Sequence, residues 1–265
     1  MAILSVNWSR KNTLQNEQGQ SPIDNMKRIQ QAIILAGGLG TRLRASVPEL
    51  PKSLAPVAGK PFISYLINHF SKEGIYDFIF ALGYKKELII EYLETLPKTL
   101  HWSLSEERNP LGTGGAIRKA CNLSLNENIF VANGDSFFGI ELGDLAALHV
   151  DKSADCTIAL KPMEHFDRYG AVELDPDSRV TSFKEKKFYP SGFINGGIYA
   201  LRVDSILNQD FPESFSFEND FLGRECIKGK IFGQVQDRYF IDIGIPADFE
   251  KAQSELPKYT NEEHA

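Results

Sequence analysis

Cysteine is scarce in this 265-residue chain: Cys121, Cys156 and Cys226 are scattered, odd in number and never spaced CxxC. That pattern supports neither a disulfide framework nor a zinc site, and reads as small buried hydrophobes in a reducing compartment. Histidine numbers only five, and no Ser/His/Asp or Cys/His constellation can be assembled for covalent catalysis. No apolar run approaches the ~20 residues that cross a bilayer, and no secretory signal opens the chain. A membrane is therefore not an expected partner, and the cytoplasm is the expected compartment. Positive charge is not in excess either, since 29 Lys and Arg face 35 Asp and Glu for a net charge of −6. A surface devoted to nucleic acid is basic over a whole face, so no nucleic-acid partner is expected and any polyanion site must be local. There is no internal repeat.

What is present is 42% hydrophobic content, enough for a core of ordinary globular size. Residues 1–30 are polar and without sustained period, and read as a flexible extension, with Met26 as a second start just ahead of the first strand. Residues 31–253 read as the folded domain and 254–265 as a short tail. Within the domain, QAIILA (31–36), DFIFALG (77–83), HWSLSE (101–106), NIFVANG (128–134) and DCTIALK (155–161) read as strands. Helical spacing occupies 61–73, 85–95, 113–122 and 143–149, and Phe62, Leu66 and Phe70 share one face. Alternation of this kind predicts an α/β fold around a parallel, doubly wound sheet. GAVELD, RVTSFKEK and FINGGIYALR then predict antiparallel strands at one edge, followed by helices over 217–228 and 246–253.

The first strand runs into LAGGLGTRLRASVPELPKSLAPV, residues 35–57, at the sheet edge where ligands of such folds gather. Gly37, Gly38 and Gly40 free the backbone to approach a ligand and aim N–H groups at an anion. The segment is not the dinucleotide fingerprint, because Leu43 stands where the third glycine belongs, and no GK[ST] follows as in a P-loop. It supplies Arg42 and Arg44 and then, past Pro48 and Pro51, Lys52. A guanidinium grips two phosphate oxygens, an ammonium acts as a point charge, and the prolines stiffen the segment carrying it.

With PLGTGGA (110–116), NGD (133–135), RYG (168–170), FKEK (183–186), NGG (195–197) and IDIG (241–244) following in order, LAGGLGTRL…PK resembles the sugar-phosphate nucleotidyltransferases over about residues 31–253. Among their subgroups it is most similar to the guanylyltransferases acting on a heptose 1-phosphate. The resemblance implies a Rossmann-like, doubly wound mixed sheet with a small antiparallel β sugar-binding region. It implies an enzyme joining a nucleoside triphosphate to a sugar 1-phosphate with release of pyrophosphate. A sugar 1-phosphate is mostly dianionic near neutral pH, so its oxygen needs no general base. The reaction needs positioning and charge neutralisation instead, which fits a chain without a nucleophilic triad.

The same resemblance implies the site. Arg42, Lys52, Asp135 and Lys186 carry catalysis, and Asp135 and Asp242 share Mg2+, which usually binds through one or two carboxylates plus phosphates and water. The nucleotide lies against Leu35, Ala36, Gly37, Gly38, Gly40 and Thr41, and against Glu107, Pro110, Gly112 and Thr113. A helix starting near Thr113 turns its positive end toward it. Glu107 occupies a base-reading position. A carboxylate only accepts hydrogen bonds, guanine offers two adjacent donors, and uracil and thymine offer one, so Glu107 favours GTP. Gly134, Gly170, Glu185 and Asn195 meet the sugar, and Lys186 holds its phosphate.

Lys187 stands where the family has proline. Strand alternation would send Lys184 and Lys186 one way and Lys187 the other. The short C-terminal segment leaves no room for an appended hexapeptide β-helix, so a stand-alone transferase, monomer or homodimer, is expected. Mannose or another hexose 1-phosphate with GTP, CTP, UTP or dTTP, and a nucleotide-sugar sensor without catalysis, are the alternatives.

Overall fold

In the strand Gln31–Leu35 (β1), Ile33 faces one side and Ala32 and Ile34 the other, and all three are fully buried. A strand covered on both faces belongs in the middle of a layered sheet. The computed structural model describes residues 29–38, 43 and 47–262, and places β1 there. Residues 1–28 of the expected extension, and Gly40, Thr41, Arg42 and Arg44 of the glycine loop, lie outside the described residues.

After β1 come the hairpin strands β2 (Pro56–Val57) and β3 (Lys60–Pro61), then α1 (Phe62–Lys72), β4 (Asp77–Leu82), α2 (Lys86–Leu93) and β5 (His101–Glu106). Next are α3 (Gly112–Cys121), β6 (Asn128–Asn133), β7 (Ser136–Phe138), α4 (Leu142–Asp151), β8 (Cys156–Phe166), β9 (Ala171–Leu174) and β10 (Val180–Phe183). β11 (Tyr189–Arg202), α5 (Val203–Leu207), a π-helical turn at Phe217–Leu222, α6 (Gly223–Ile227), β12 (Ile231–Val235), β13 (Phe240–Asp242) and α7 (Pro246–Glu262) complete the order.

β5, β4, β1 and β6 are parallel neighbours in that spatial order, so the chain reverses its direction of growth at β1 and opens a crevice there. Helices α1, α2 and α4 cover one face through Leu66, Phe70, Ile89 and Leu145, and α3 and α5 cover the other through Ile117 and Ile206. The antiparallel part is a fork. The carboxyl half of β11 pairs with β6 and its amino half with β9, while β8 pairs with both halves and its register with β11 shifts between Asn195 and Tyr199. The sheet is thus mixed and doubly wound, as expected, with the antiparallel leaf swung off at that shift. No helix among the described residues is long and apolar enough to cross a membrane.

Three boundaries differ from expectation. Ile29 is buried in the core, so packing begins before residue 31. The helix expected over 217–228 opens as a π-helical turn. The expected tail from 254 is helix as far as Glu262, because Phe249, Ala252 and Leu256 form one stripe against Phe62, Phe137 and Ile241.

One buried group makes stability pH-dependent. His149 of α4 is held between Thr157 Oγ1, 3.0 Å from Nδ1, and Asn128 Oδ1, 3.1 Å from Nε2. Burial first, and the charge of Arg202 second, push its pKa down to about 4. The unfolded chain takes up this proton near the ordinary value of about 6.5, so stability is full above that pH and declines as pH falls toward the folded value, by about 3 kcal/mol in all. Urea melts of His149→Gln between pH 4 and 7 are expected to show a flatter acid limb than the parent.

Candidate active site

The carboxyl ends of β1 and β4 open on a cavity of about 440 Å³. Leu35, Gly37 and Gly38 form one wall, and Glu107, Pro110, Gly112 and Thr113 another. Glu107 follows β5, its backbone N–H donating to Leu82 O at 2.8 Å, so its side chain leaves the sheet edge toward β1. One carboxylate oxygen accepts from Leu111 N at 2.9 Å, and the other approaches Gly37. Burial raises the pKa of Glu107, against the Leu111 bond and the charge of Lys119.

Part of the expected positive end of α3 is already committed. Gly114 N donates to Phe215 O at 2.9 Å, while Thr113 Oγ1 donates to Glu218 Oε2 at 2.7 Å and accepts from Phe217 N at 2.8 Å. The 215–218 segment thus satisfies one of the orphan N–H groups of the helix start, that of Gly114, and engages the Thr113 hydroxyl. Gly112 turns into this junction with φ +68°, where a Cβ would stand 2.5 Å from the carbonyl oxygen of Phe215.

A second cavity shares Leu35, Gly38 and Thr113 with the first, and is lined further by Ala36, Lys52, Gly134 and Asp135. Lys52 sits on a short 3-10 turn that follows Pro51, and its Nζ donates to Asp135 Oδ2 at 2.9 Å. Asp242 is brought beside them from the far end of the chain. β13 pairs antiparallel with β7, setting Asp242 opposite Ser136, and Ile243 N donates to Asp135 O at 3.0 Å. Burial first, then the charge of Asp135, raises the pKa of Asp242, and the N–H of Gly244 and the charges of Lys52 and Arg168 oppose that rise. Two neighbouring half-buried carboxylates, with the Lys52 ammonium on one of them, fit a hard divalent cation whose remaining ligands would be phosphate and water. No group of three or more His, Cys, Asp or Glu able to hold a metal occurs among the described residues.

The third cavity, about 550 Å³, shares Asn133, Asp135 and Glu218 with the second. Asp242, Gly170, Glu185, Lys186 and Asn195 line it. β10 ends at Phe183, so alternation does not govern residues 184–187, which lie on a loop. The loop nevertheless sorts the lysines. Lys184 and Lys186 line the cavity, and Lys187 lies over the Tyr189 ring at 5.5 Å. Asn195 is partly committed, donating to Tyr199 Oη at 2.8 Å and accepting from Gly197 N at 2.9 Å. Arg168 pairs with Asp248 of α7, and Tyr169 stands in the cavity wall against Phe240.

Every expected site residue that is described thus lines one of three joined cavities; Gly40, Thr41 and Arg42 lie outside the described residues. Tyr84 and Arg108 in the first cavity and Glu218 between the second and third were not foreseen. Arg108 adjoins Glu107 and could have been weighed with it. Glu218 carries no local signal, because its position depends on Thr113, a partner remote in sequence.

Residues 31–259 match the family model described as Nucleotidyl transferase. The chain is 46% identical over 229 residues to D-glycero-alpha-D-manno-heptose 1-phosphate guanylyltransferase of Aneurinibacillus thermoaerophilus, covering 86% of this chain and 99% of that protein. It is 45% identical over 219 residues to the protein of the same name from Campylobacter jejuni, covering 83% and 96%. Among solved structures, HddC from Yersinia pseudotuberculosis matches with a TM-score of 0.78 at 34% identity, over 86% of this chain and 100% of that one. The same protein complexed with GMP-PN matches equally.

Proposed function

The chain belongs to the nucleotidyl transferase family, and from that premise we propose that it joins GTP to D-glycero-α-D-manno-heptose 1-phosphate, giving the GDP-sugar and pyrophosphate. The observation that carries this reading is the continuous run of cavities, with Glu107 at one end, Lys52, Asp135 and Asp242 in the middle and Lys186 at the other. High identity over nearly the full length of two heptose 1-phosphate guanylyltransferases supports the choice of sugar and base.

In this reading the Glu107 carboxylate accepts from the N1–H and 2-amino group of guanine, the oxygen that also accepts from Leu111 N keeping a lone pair for one of them. Lys52 neutralises the triphosphate, aided by Arg42, and Lys186 holds the phosphate of the sugar. An oxygen of that phosphate attacks the α-phosphorus, the bond to the β-phosphate breaks, and pyrophosphate leaves; no proton needs removing first. Mg2+ held by Asp135 and Asp242 would supply further neutralisation of charge at the α-phosphate when bound. Gly170, Glu185 and Asn195 orient the sugar. The reaction is placed in the cytoplasm, where nucleoside triphosphates are supplied.

A matrix of GTP, CTP, UTP, dTTP and ATP against heptose, mannose and glucose 1-phosphates, read by product mass, tests the assignment. GTP with the heptose 1-phosphate is expected to exceed every other pair by at least about tenfold in kcat/KM, as hydrogen-bonded base readout allows. A pyrimidine nucleotide in first place would overturn the base, and mannose in first place would overturn the sugar.

A further inference from the structure

We propose that Arg108 reads the O6 and N7 edge of guanine, the edge adjoining the one read by Glu107; this rests on the guanylyl reading above. The first two cavities meet at Leu35, Gly38 and Thr113, so a nucleotide lying across them passes its ribose there. Arg108 lines the first cavity with Glu107 and Tyr84, and does not border the one that holds Lys52 and Asp135. It therefore stands at the base end of the run rather than the phosphate end, at the border with an outer groove that Arg118 and Lys119 also line.

The neighbouring cations are committed within the protein. Lys86 Nζ pairs with Glu106 Oε2 at 2.7 Å, Lys119 Nζ donates to Glu106 O at 2.5 Å, and Arg118 donates to Phe211 O and Pro212 O. Arg108 is exposed and has no hydrogen-bond or ion-pair partner among the described residues. Its charge also opposes that of Lys86. A free guanidinium at the base end presents two parallel donors, and guanine alone among the common bases sets two acceptors, O6 and N7, at the matching spacing. Adenine turns an amino group toward the same fork, and pyrimidines have no N7. Glu107 and Arg108, consecutive on one loop, would so bracket the base, with a carboxylate on its donors and a guanidinium on its acceptors.

Comparing GTP, 7-deaza-GTP and inosine triphosphate separates the two residues, since the first analogue lacks N7 and the second lacks the 2-amino group. The parent is expected to lose about tenfold in kcat/KM on 7-deaza-GTP, within the range of one lost bidentate base contact. Arg108→Ala is expected to equalise GTP and 7-deaza-GTP while keeping the preference over inosine triphosphate. Glu107→Gln is expected to do the reverse. These ratios do not depend on the fraction of enzyme that is folded. Equal use of GTP and 7-deaza-GTP by the parent, or a uniform fall on all three nucleotides in Arg108→Ala, would overturn the proposal and leave the guanylyl reading standing. A parent that rejects GTP for a pyrimidine nucleotide would overturn that reading itself.

Discussion

Asp135→Asn is expected to lower kcat by about a thousandfold or more while leaving the melting temperature of the apoprotein little changed. The substitution keeps shape and an acceptor for Lys52 Nζ, which now lies 2.9 Å from Asp135 Oδ2. It removes one of the two charges that would hold a divalent cation, and it relieves the repulsion that raises the pKa of Asp242. The folded state therefore loses little, because a favourable pair and an unfavourable one disappear together. Differential scanning fluorimetry should show that Mg2+ with GTP raises the melting temperature of the parent far more than that of the variant. A variant turning over within tenfold of the parent would remove Asp135 from the reaction.

Gly134→Ala is expected to cost about 3 kcal/mol of stability, in the range for overpacking, and to reduce kcat about a hundredfold in the protein that remains folded. A Cβ at this position would lie 2.5 Å from Leu35 O, a backbone atom that already accepts from Gly134 N at 2.9 Å. Because a backbone carbonyl cannot swing aside as a side chain can, β1 and β6 must separate where Leu35 pairs with Asn133. Asp135 is the next residue, so the movement reaches the charged centre directly. Gly143→Ala is the control: it lies in α4, nothing approaches its would-be Cβ within 4 Å, and Ala is the better helix former. Urea unfolding with single-turnover assays on both variants checks the pair, and equal behaviour of the two would show that the β1–β6 contact is not what holds the site.

Some of this molecule could be read directly from its residues. The short apolar run of QAIIL and the helical period of FISYLINHF are written in neighbouring residues, so β1 and α1 were visible without knowledge of their partners. The glycine loop after β1 and Asp135 after β6 followed from the rule that such sheets gather ligands at their carboxyl edge. The helical course of residues 254–260 was hidden, because Leu256 and Tyr259 sit in a polar stretch and find Phe62, Phe137 and Gly139 only after folding.

The sequence by itself determined the element pattern, the glycines and cations of the segment after β1, and the presence of Glu107, Asp135, Lys186 and Asp242 as chemical groups. Only the tertiary structure decided what those groups face. The β7–β13 ladder brings Asp242 to Asp135, the long strand β11 sets Asn195 in the third cavity beside them, and Phe215 with Glu218 takes up the Gly114 N–H and the Thr113 hydroxyl at the start of α3. The reason is physical: local periodicity is written in neighbouring residues, whereas a carboxylate's partners and pKa depend on charges and carbonyls that long-range packing brings near.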